Sequence, residues 1–383
     1  MEEIIAASRQ GCLVGRVWRP DAGGPAVVVA RDGDVIDITS RDFPTMRDLL
    51  EADDPAAVAG RLQGERLISL ADLLARSNEA ADDTLHLLAP CDLQAVKACG
   101  VTFARSMVER VIEERAGGKA ELAQEIRERI STVVGEQLRD LRPGSLEAQR
   151  VKAVLVEAGL WSQYLEVGIG PDAEVFTKAQ VLSSVGWGAA VGLHPVSRWN
   201  NPEPEVVLAV DSRGGVKGAT LGNDVNLRDV EGRSALLLGK AKDNNASCSI
   251  GPFIRLFDDG YGINDVRSAE LTLKIEGADG FVLDGRSSMS EISRDPLDLV
   301  AQTIGSHHQY PDGLVLFMGT LFAPVEDRDV PGQGFTHKVG DVVTIAEPKL
   351  GSLRNTVRLS TECPPWTFGA ASLMRNLSQR GLL

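Results

Sequence analysis

The feature that most constrains the fold is a charge-rich helical block that interrupts a chain made mostly of short strands. Residues from about Arg105 to Ala158 are dense in Glu, Arg, Ala and Leu, and segments such as AELAQEIRERI repeat apolar residues at a helical period. After this block, runs such as EVVLAVD, AELTLKIEG and DVVTIAEP are rich in β-branched residues and are separated by glycine-containing turns. The pattern predicts an α+β fold, a mixed β-sandwich roll with a helical insertion.

A small β-rich N-terminal domain is predicted over residues 1–90. The segments CLVGRVW and PAVVVARDGDVIDI indicate short strands, whereas MRDLLEADDPAAVAGRLQ and SLADLLARS have helical spacing. An acidic, proline-marked passage near Pro90 then indicates a boundary. We therefore expect a larger domain over residues 91–383, in which the insertion at about 105–158 closes over the site as a lid.

Charge and composition exclude several classes of partner. Lys and Arg total 40 against 54 Asp and Glu, a net charge of -14, which disfavours binding to nucleic acid or to an anionic membrane. No apolar run is long enough for a membrane-spanning helix. The five cysteines are scattered without CxxC spacing, and the first residues lack the pattern of a secretory signal. A reduced, cytoplasmic environment is the expected location.

Three carboxylates form the candidate metal site. Glu203 and Glu205 lie two positions apart where a strand should begin, so strand alternation points both to one face. The prolines of the Pro-Glu-Pro-Glu segment predict that this part lies at a sheet edge or at the start of a strand. Asp224 lies in a second predicted strand close by. Oxygen ligands favour Mg²⁺ or Mn²⁺, and Ca²⁺ is an alternative; acids at an exposed strand edge without any metal would give the same spacing.

An ordered series of segments places this triad in a wider pattern that resembles the fumarylacetoacetate hydrolase superfamily over roughly residues 95–350. The matching segments, in chain order, are GVTFARSMVE, EVFTK, NPEPEVVLAV, LGNDVNLRD, AKDNNASCSIGP and LFMGT. The resemblance implies a fumarylacetoacetase C-terminal-like fold, a 2-keto acid as the small-molecule substrate, and a homodimer or homotetramer. It also implies residue roles: Glu203, Glu205 and Asp224 bind the metal, Lys242 is the lysine of the site, and the hydroxyl of Thr320 helps to bind the substrate carboxylate.

One departure from the family pattern bears on the reaction. The hydrolases carry a His in the first segment, which pairs with a Glu to activate water, whereas this chain has Ser106. The extended segments are more similar to the subgroup that dehydrates 2-keto-3-deoxy-D-pentonates to 2,5-dioxopentanoate in xylose or arabinose breakdown. The expected activity is therefore that of a metal-dependent hydro-lyase. A carbon–carbon hydrolase of 2,4-diketo-3-deoxy acids is the alternative, and a non-catalytic metal-binding assembly protein is a second one.

Dehydration needs two proton-transfer groups, and the sequence offers Lys242 and Glu109. We expect a partly desolvated Lys242 beside a metal to have a lowered pKa, although it could also be a simple counter-ion to the carboxylates. Glu109 could accept the C3 proton or donate to the leaving hydroxyl, or it could be a solvated helix residue. Ser106 could hold water or the C4 hydroxyl, or cap a helix. Arg105 is a candidate for binding the substrate carboxylate.

Overall fold

The structure is a computed structural model that describes residues 1–78, 80–81, 83–126, 141–157, 159, 161–320, 322, 324, 326–331 and 334–383, without the side chain of Arg105. Residues 120–126 are helical. The named helices in the described ranges are α1 (Glu2–Ser8), α2 (Met46–Leu50), α3 (Pro55–Arg61), α4 (Leu70–Ser77), α5 (Ala104–Arg115), α6 (Leu146–Glu157), α7 (Gln163–Ile169), α8 (Arg228–Glu231), α9 (Leu238–Lys242), α10 (Ile263–Arg267), α11 (Pro296–Thr303) and α12 (Ala370–Gln379).

The strands alternate with these helices along most of the chain. Their bounds are β1 (Leu13–Arg19), β2 (Gly24–Arg31), β3 (Asp34–Asp37), β4 (Glu65–Ser69), β5 (His86–Leu88), β6 (Ala95–Gly100), β7 (Glu174–Ala179), β8 (Ala190–Leu193), β9 (Pro204–Val210), β10 (Val216–Asp224), β11 (Cys248–Leu256), β12 (Glu270–Glu276), β13 (Val282–Ser288), β14 (Leu314–Phe317), β15 (Val342–Glu347) and β16 (Gly351–Leu359).

Two sheets carry these strands in the described part of the chain. The larger follows the order β4-β3-β2-β1-β11-β10-β9-β14-β6-β7, with β5 paired to β1, and the smaller follows β13-β12-β15-β16-β8. Most neighbours are antiparallel, but β14 pairs with β6 and β16 with β8 in parallel. The mixed sheets and the helices confirm the predicted α+β fold class.

Strand β9 lies inside the larger sheet and is buried on both faces. Val206, Leu208 and Val210 belong to one apolar cluster that includes residues of the smaller sheet such as Ile345. Val207, on the opposite face, packs in a second cluster of the larger sheet. This alternation fixes the strand in register, because a slip of one residue would move every apolar side chain to the wrong face.

The position of β9 corrects one expectation and refines another. The strand is not a sheet edge, since β10 and β14 pair with it on either side. Its prolines are tolerated because Pro202 precedes the strand and Pro204 is its first residue, where the missing N–H disrupts the ladder least. The alternative prediction, a strand that starts at the prolines, is confirmed.

The helical insertion is confirmed where the structure describes it. Helices α5 and α6 and the helical residues 120–126 lie within the predicted range, and residues 127–140 lie outside the described ones. The insertion has its own apolar core, to which α5 contributes Met107, Val111 and Ile112. Closure of this insertion as a lid stays a prediction.

The predicted strands and helices of the N-terminal 90 residues are confirmed as β1–β3 and α2–α4, while α1, β4 and β5 were not predicted. Helix α4 shows why: Ser69 accepts a hydrogen bond from the Asp72 amide at 3.1 Å, and Leu70, Leu73 and Leu74 share one buried face. Because β1 also pairs with β11, the N-terminal strands extend the larger sheet. The division into domains at residue 90 stays a prediction. Among the described residues, no helix is long and apolar enough to cross a membrane.

Arg16 joins strand β1 to the segment around residue 90, and we expect its loss to destabilise the fold. Its guanidinium is buried, donates to the carbonyls of Ala89 at 3.2 Å and Cys91 at 2.5 Å, and lies 3.6 Å from Asp92. Arg16→Met leaves a buried carboxylate and two carbonyls without their cation, so the free energy of unfolding should fall by about 3 kcal/mol or more in urea titrations.

The matched control is Arg66→Met, which removes an exposed ion pair between Arg66 of β4 and Asp34 of β3. Because water screens that pair, the urea midpoint should hardly change. An equal loss of stability in the two variants would contradict the structural importance of Arg16.

Candidate active site

The three candidate metal ligands are brought together by the pairing of β9 with β10. Pro204 is opposite Asn223 and Glu205 is opposite Gly222, so Glu203 falls opposite Asp224, whose amide donates to the Glu203 carbonyl at 3.0 Å. Residues that face each other across antiparallel strands point to the same side, as do residues two apart. One carboxylate oxygen from each of Glu203, Glu205 and Asp224 accordingly lies within 4.8 Å of the others.

Lysines neutralise the Asp224 end of this triad. Lys178 is fully buried and lies 2.8 Å from Asp224 Oδ1, while Lys242 lies 3.0 Å from Asp224 Oδ2 and 2.5 Å from Glu203 Oε2. Lys178 also donates to the carbonyl of Lys242 at 2.6 Å, which ties α9 to the triad. Burial alone would raise the pKa of Asp224, but the two lysines outweigh it and lower that pKa.

Glu205 has a different environment, and it decides whether a cation fits. It is 2 % exposed and accepts a hydrogen bond from the Gly319 amide at 2.6 Å, but no described basic side chain forms an ion pair with it. Burial, followed by repulsion from Asp224 and Glu203, raises the pKa of Glu205 well above its usual value. A positive charge between the three carboxylates would relieve this repulsion. The oxygen-only ligand set therefore fits a hard divalent cation such as Mg²⁺.

The protein groups around Lys242 oppose the expected lowering of its pKa. Burial does favour the neutral amine, but Asp224 and Glu203 are in direct contact with the ammonium and raise the pKa of Lys242 above its usual value. These contacts favour the ammonium form of Lys242. Its ring neighbour Phe176 lies 5.6 Å from the nitrogen, an arrangement that also favours the cation.

A narrow cleft opens onto the triad. Its lining includes predicted site residues and further charged and apolar groups. The lining residues are Cys99, Gly100, Val101, Ser106, Arg110, Glu174, Phe176, Glu203, Glu205, Asp224, Glu231, Lys242 and Thr320. Ser106 and Arg110 lie one turn apart on α5, so the helical insertion supplies one wall of the cleft. Five of the predicted site residues besides Ser106 therefore line one cavity.

The hydroxyls of Ser106 and Thr320 make local bonds. Ser106 donates to the Phe103 carbonyl at 2.8 Å. Helix α5 begins at Ala104 after Phe103, which has no side-chain cap, so the interpretation of Ser106 as a helix cap is wrong. Thr320 donates to the Phe322 carbonyl at 3.0 Å and accepts from its amide at 3.2 Å. Roles of these two hydroxyls in substrate binding stay predictions.

Glu109 is on α5, but it is not among the described residues that line the cleft. Glu109 lies 3.2 Å from Arg228, which itself contacts Glu113 at 2.6 Å. The catalytic role of Glu109 stays a prediction, as does the substrate contact of Arg105, whose side chain lies outside the described part of the structure.

Sequence reasoning missed three charged residues of the cleft: Arg110, Glu174 and Glu231. Arg110 contacts Glu203 Oε1, Glu113 at 2.7 Å and Glu231 at 2.9 Å. Burial raises the pKa of Glu174 above its usual value. The sequence did contain a signal for two of them, because Glu174 is the first residue of the EVFTK segment and Glu231 lies two residues after the LRD sequence.

The fold and the oxygen triad define a candidate metal-dependent active site at the paired ends of two strands. Residues 202–358 match the family model described as fumarylacetoacetate (FAA) hydrolase C-terminal. This part of the chain is therefore similar to the C-terminal domain of that family.

Two curated relatives have similar sequences. A protein of Haloferax volcanii, named probable 2-keto-3-deoxyxylonate dehydratase, is 28% identical over 339 residues, which cover 88% of this chain and 96% of the relative. A 2-dehydro-3-deoxy-D-arabinonate dehydratase of Saccharolobus solfataricus is 30% identical over 185 residues, or 48% of this chain and 58% of the relative.

A solved structure described as 2-keto-3-deoxy-D-arabinonate dehydratase complexed with magnesium and 2,5-dioxopentanoate has a similar fold. Its TM-score is 0.64 at 23% sequence identity, and the match covers 91% of this chain and 99% of that one. At this identity the likeness confirms the fold of the chain.

Gly319 positions Glu205, and we expect Gly319→Ala to weaken metal binding. Its φ of +89° lies in the left-handed region, and a Cβ there would lie 2.1 Å from Thr102 Oγ1. The backbone must shift, and its amide then loses the geometry of its bond to Glu205. Isothermal titration calorimetry should show Mg²⁺ affinity reduced by about 10- to 100-fold, the usual effect of losing a partner of a metal ligand.

Gly33→Ala is the matched control. Gly33 has a similar φ of +84°, but a Cβ there meets nothing within 4 Å. The backbone cost is therefore comparable, while Mg²⁺ affinity should stay at the wild-type value. Unchanged affinity in Gly319→Ala would show that the amide does not position Glu205.

Proposed function

We propose that the protein is a hydro-lyase that removes water from a 2-keto-3-deoxy-D-pentonate, with Mg²⁺, to give 2,5-dioxopentanoate. The observation that carries the proposal is the similarity to a protein named probable 2-keto-3-deoxyxylonate dehydratase over 96% of that relative's length. The buried Glu203, Glu205 and Asp224 cluster at the cleft supports it independently, because it supplies the hard oxygen ligands that a magnesium-dependent reaction needs.

In this proposal the three carboxylates hold the cation, and the cation serves as a Lewis acid toward the 2-keto acid. The triad is buried, so the carboxylates are desolvated and their geometry is fixed by the strand pairing rather than by mobile loops. Lys178, which is fully buried and contacts Asp224 Oδ1, favours the ionised form of that carboxylate.

Lys242 and Glu174 are the groups that we propose for removal of the C3 proton. As an ammonium, Lys242 stabilises the negative charge that develops on the substrate when this proton leaves. Glu174 lines the same cleft, and its raised pKa makes it a better proton acceptor than an ordinary carboxylate. Glu109 remains the alternative acceptor, but its contact with Arg228 makes it less accessible to a substrate in the cleft.

Ser106 supports dehydration over hydrolysis of a carbon–carbon bond. Ser106 lines the cleft, and the hydrolases of the superfamily carry a His at the matching position. A serine hydroxyl cannot act as a base at neutral pH. No histidine is among the described residues that line the cleft. Activation of a water molecule for hydrolysis therefore lacks its expected base.

The deciding experiment incubates the purified protein with Mg²⁺ and 2-keto-3-deoxy-D-xylonate and detects 2,5-dioxopentanoate through an NAD-dependent aldehyde dehydrogenase. The result expected is stoichiometric NADH that disappears with EDTA and returns with added Mg²⁺. In parallel, a 2,4-diketo-3-deoxypentonate is tested for release of pyruvate. Pyruvate without NADH would replace the dehydratase proposal with the hydrolase alternative, and neither product would favour a non-catalytic protein.

Glu203→Gln tests the ligand set within this proposal. The amide removes one negative oxygen from the triad with little change in shape, so turnover should fall by at least about 100-fold as charge stabilisation worth several kcal/mol is weakened. Coupled NADH formation measures turnover, and circular dichroism checks the fold.

Glu347→Gln is the control, because Glu347 is also a buried strand carboxylate but lies in β15 of the smaller sheet, outside the cleft lining. Wild-type turnover is expected for that variant. Full turnover in Glu203→Gln would remove this residue from the proposed metal site.

A further inference from the structure

The cleft contains a second acidic group that neither the metal triad nor the removal of the C3 proton uses. Glu231 is the last residue of α8, is 3 % exposed, and lines the same cavity as the triad. Its Oε2 lies 2.9 Å from Arg110 Nη1. Since a buried carboxyl group has an energetic cost, its position on the cleft wall requires an explanation beyond packing.

Arg110 sets the distance between Glu231 and the metal ligands. Its Nη2 contacts Glu203 Oε1, while its Nη1 contacts Glu231. Glu231 is thus separated from a metal-ligand oxygen by one planar guanidinium. Because C4 lies two bonds beyond C2, a substrate whose first two carbons lie at the triad would place its C4 hydroxyl further along the same cleft, whose lining includes Glu231.

Glu113 shows that Glu231 is not needed simply to neutralise Arg110. Glu113 lies 2.7 Å from the same Arg110 Nη1 and 2.6 Å from Arg228, and it is buried without being among the cleft-lining residues described. With Glu203 also in contact, Arg110 has three carboxylate neighbours for one positive charge. Glu231 is the one of these that lines the cleft without being a candidate metal ligand.

The proton affinities of these two carboxylates are driven apart by their surroundings. Although burial opposes it, contact with Arg110 and Arg228 lowers the pKa of Glu113. Burial raises the pKa of Glu231 to about 7. Arg110 and Lys242 offset this rise only in part, and repulsion from Glu203 and Glu113 adds to it. Two neighbouring carboxyl groups with separated pKa values are typical of sites in which one of them transfers a proton.

We propose that Glu231 is the acid that protonates the C4 hydroxyl of the substrate as it leaves, an assignment that rests on the dehydratase proposal. The C4–O bond breaks with its electron pair going to oxygen, and the carboxyl proton of Glu231 joins that oxygen to form water. The electrons released by the earlier loss of the C3 proton form the C3–C4 double bond. Glu231 is left as a carboxylate beside Arg110, which stabilises its new charge.

The test compares two leaving groups in Glu231→Gln. One substrate is 2-keto-3-deoxy-D-xylonate, and the other carries fluorine in place of the C4 hydroxyl. Fluoride departs without a proton, so the acid is dispensable for that substrate only. We expect the kcat for loss of water to fall by about 100- to 10,000-fold, while fluoride release, followed with a fluoride electrode, stays near the wild-type rate.

Glu113→Gln is the matched control, because it changes the other carboxylate on the same guanidinium nitrogen without altering the cleft wall. Any effect that acts through the position of Arg110 should reduce loss of water and loss of fluoride by the same factor. Equal losses for the two substrates in Glu231→Gln would therefore overturn the acid assignment and make Glu231 a positioning residue.

Two further measurements separate failure of this assignment from failure of the proposed function. Mg²⁺ affinity by calorimetry and exchange of the C3 protons in D₂O, followed by proton NMR, should both persist in Glu231→Gln, since neither requires the acid. Wild-type protein that eliminates neither water nor fluoride would overturn the dehydratase proposal and this assignment with it. Normal elimination of water by Glu231→Gln would overturn the assignment alone.

Discussion

Mutual repulsion among three buried carboxylates is the constraint on which the rest of the site depends. The pairing of β9 with β10 forces Glu203, Glu205 and Asp224 to one face, where water cannot screen their charges. The surrounding structure responds with basic groups on one side, Lys178 and Lys242, and leaves Glu205 with a backbone amide as its donor. The lysines thereby compensate the charge of Asp224 and Glu203, while Glu205 lacks a described basic partner at the place where a divalent cation would fit.

Much of this arrangement could be predicted from local sequence. The two glutamates beside the prolines suggested only a possible cation site, and the order of their segments among those of the superfamily identified the triad. The interior position of β9 could not be predicted, since prolines occur both at edges and at strand starts. The raised pKa of Lys242 also could not, because it depends on contacts between α9 and two separate strands.

Arg110 and Glu231 were missed for the same physical reason. Each lies next to a recognised segment, yet its importance comes from a contact that spans more than 100 residues of sequence between α5 and α8. In a chain with 94 charged Asp, Glu, Lys and Arg side chains, composition gives no means of selecting the few that are buried. Only the packing of the helical insertion on the larger sheet identifies them, and the same packing places Glu109 against Arg228 instead of the triad.

The two walls of the cleft have different origins. One is a strand buried on both faces, whose carboxylates are held by the pairing of a large sheet, and the other is helix α5, which has its own small apolar core. Mutations on the exposed turns of the insertion can therefore accumulate without disturbing the cation-binding strands. The sheet thus supplies the carboxylates that can hold a metal, while α5 brings the hydroxyl of Ser106 and the guanidinium of Arg110 to the opposite wall, so a change on this one helix alters the substrate side of the cleft and leaves the strand pairing intact.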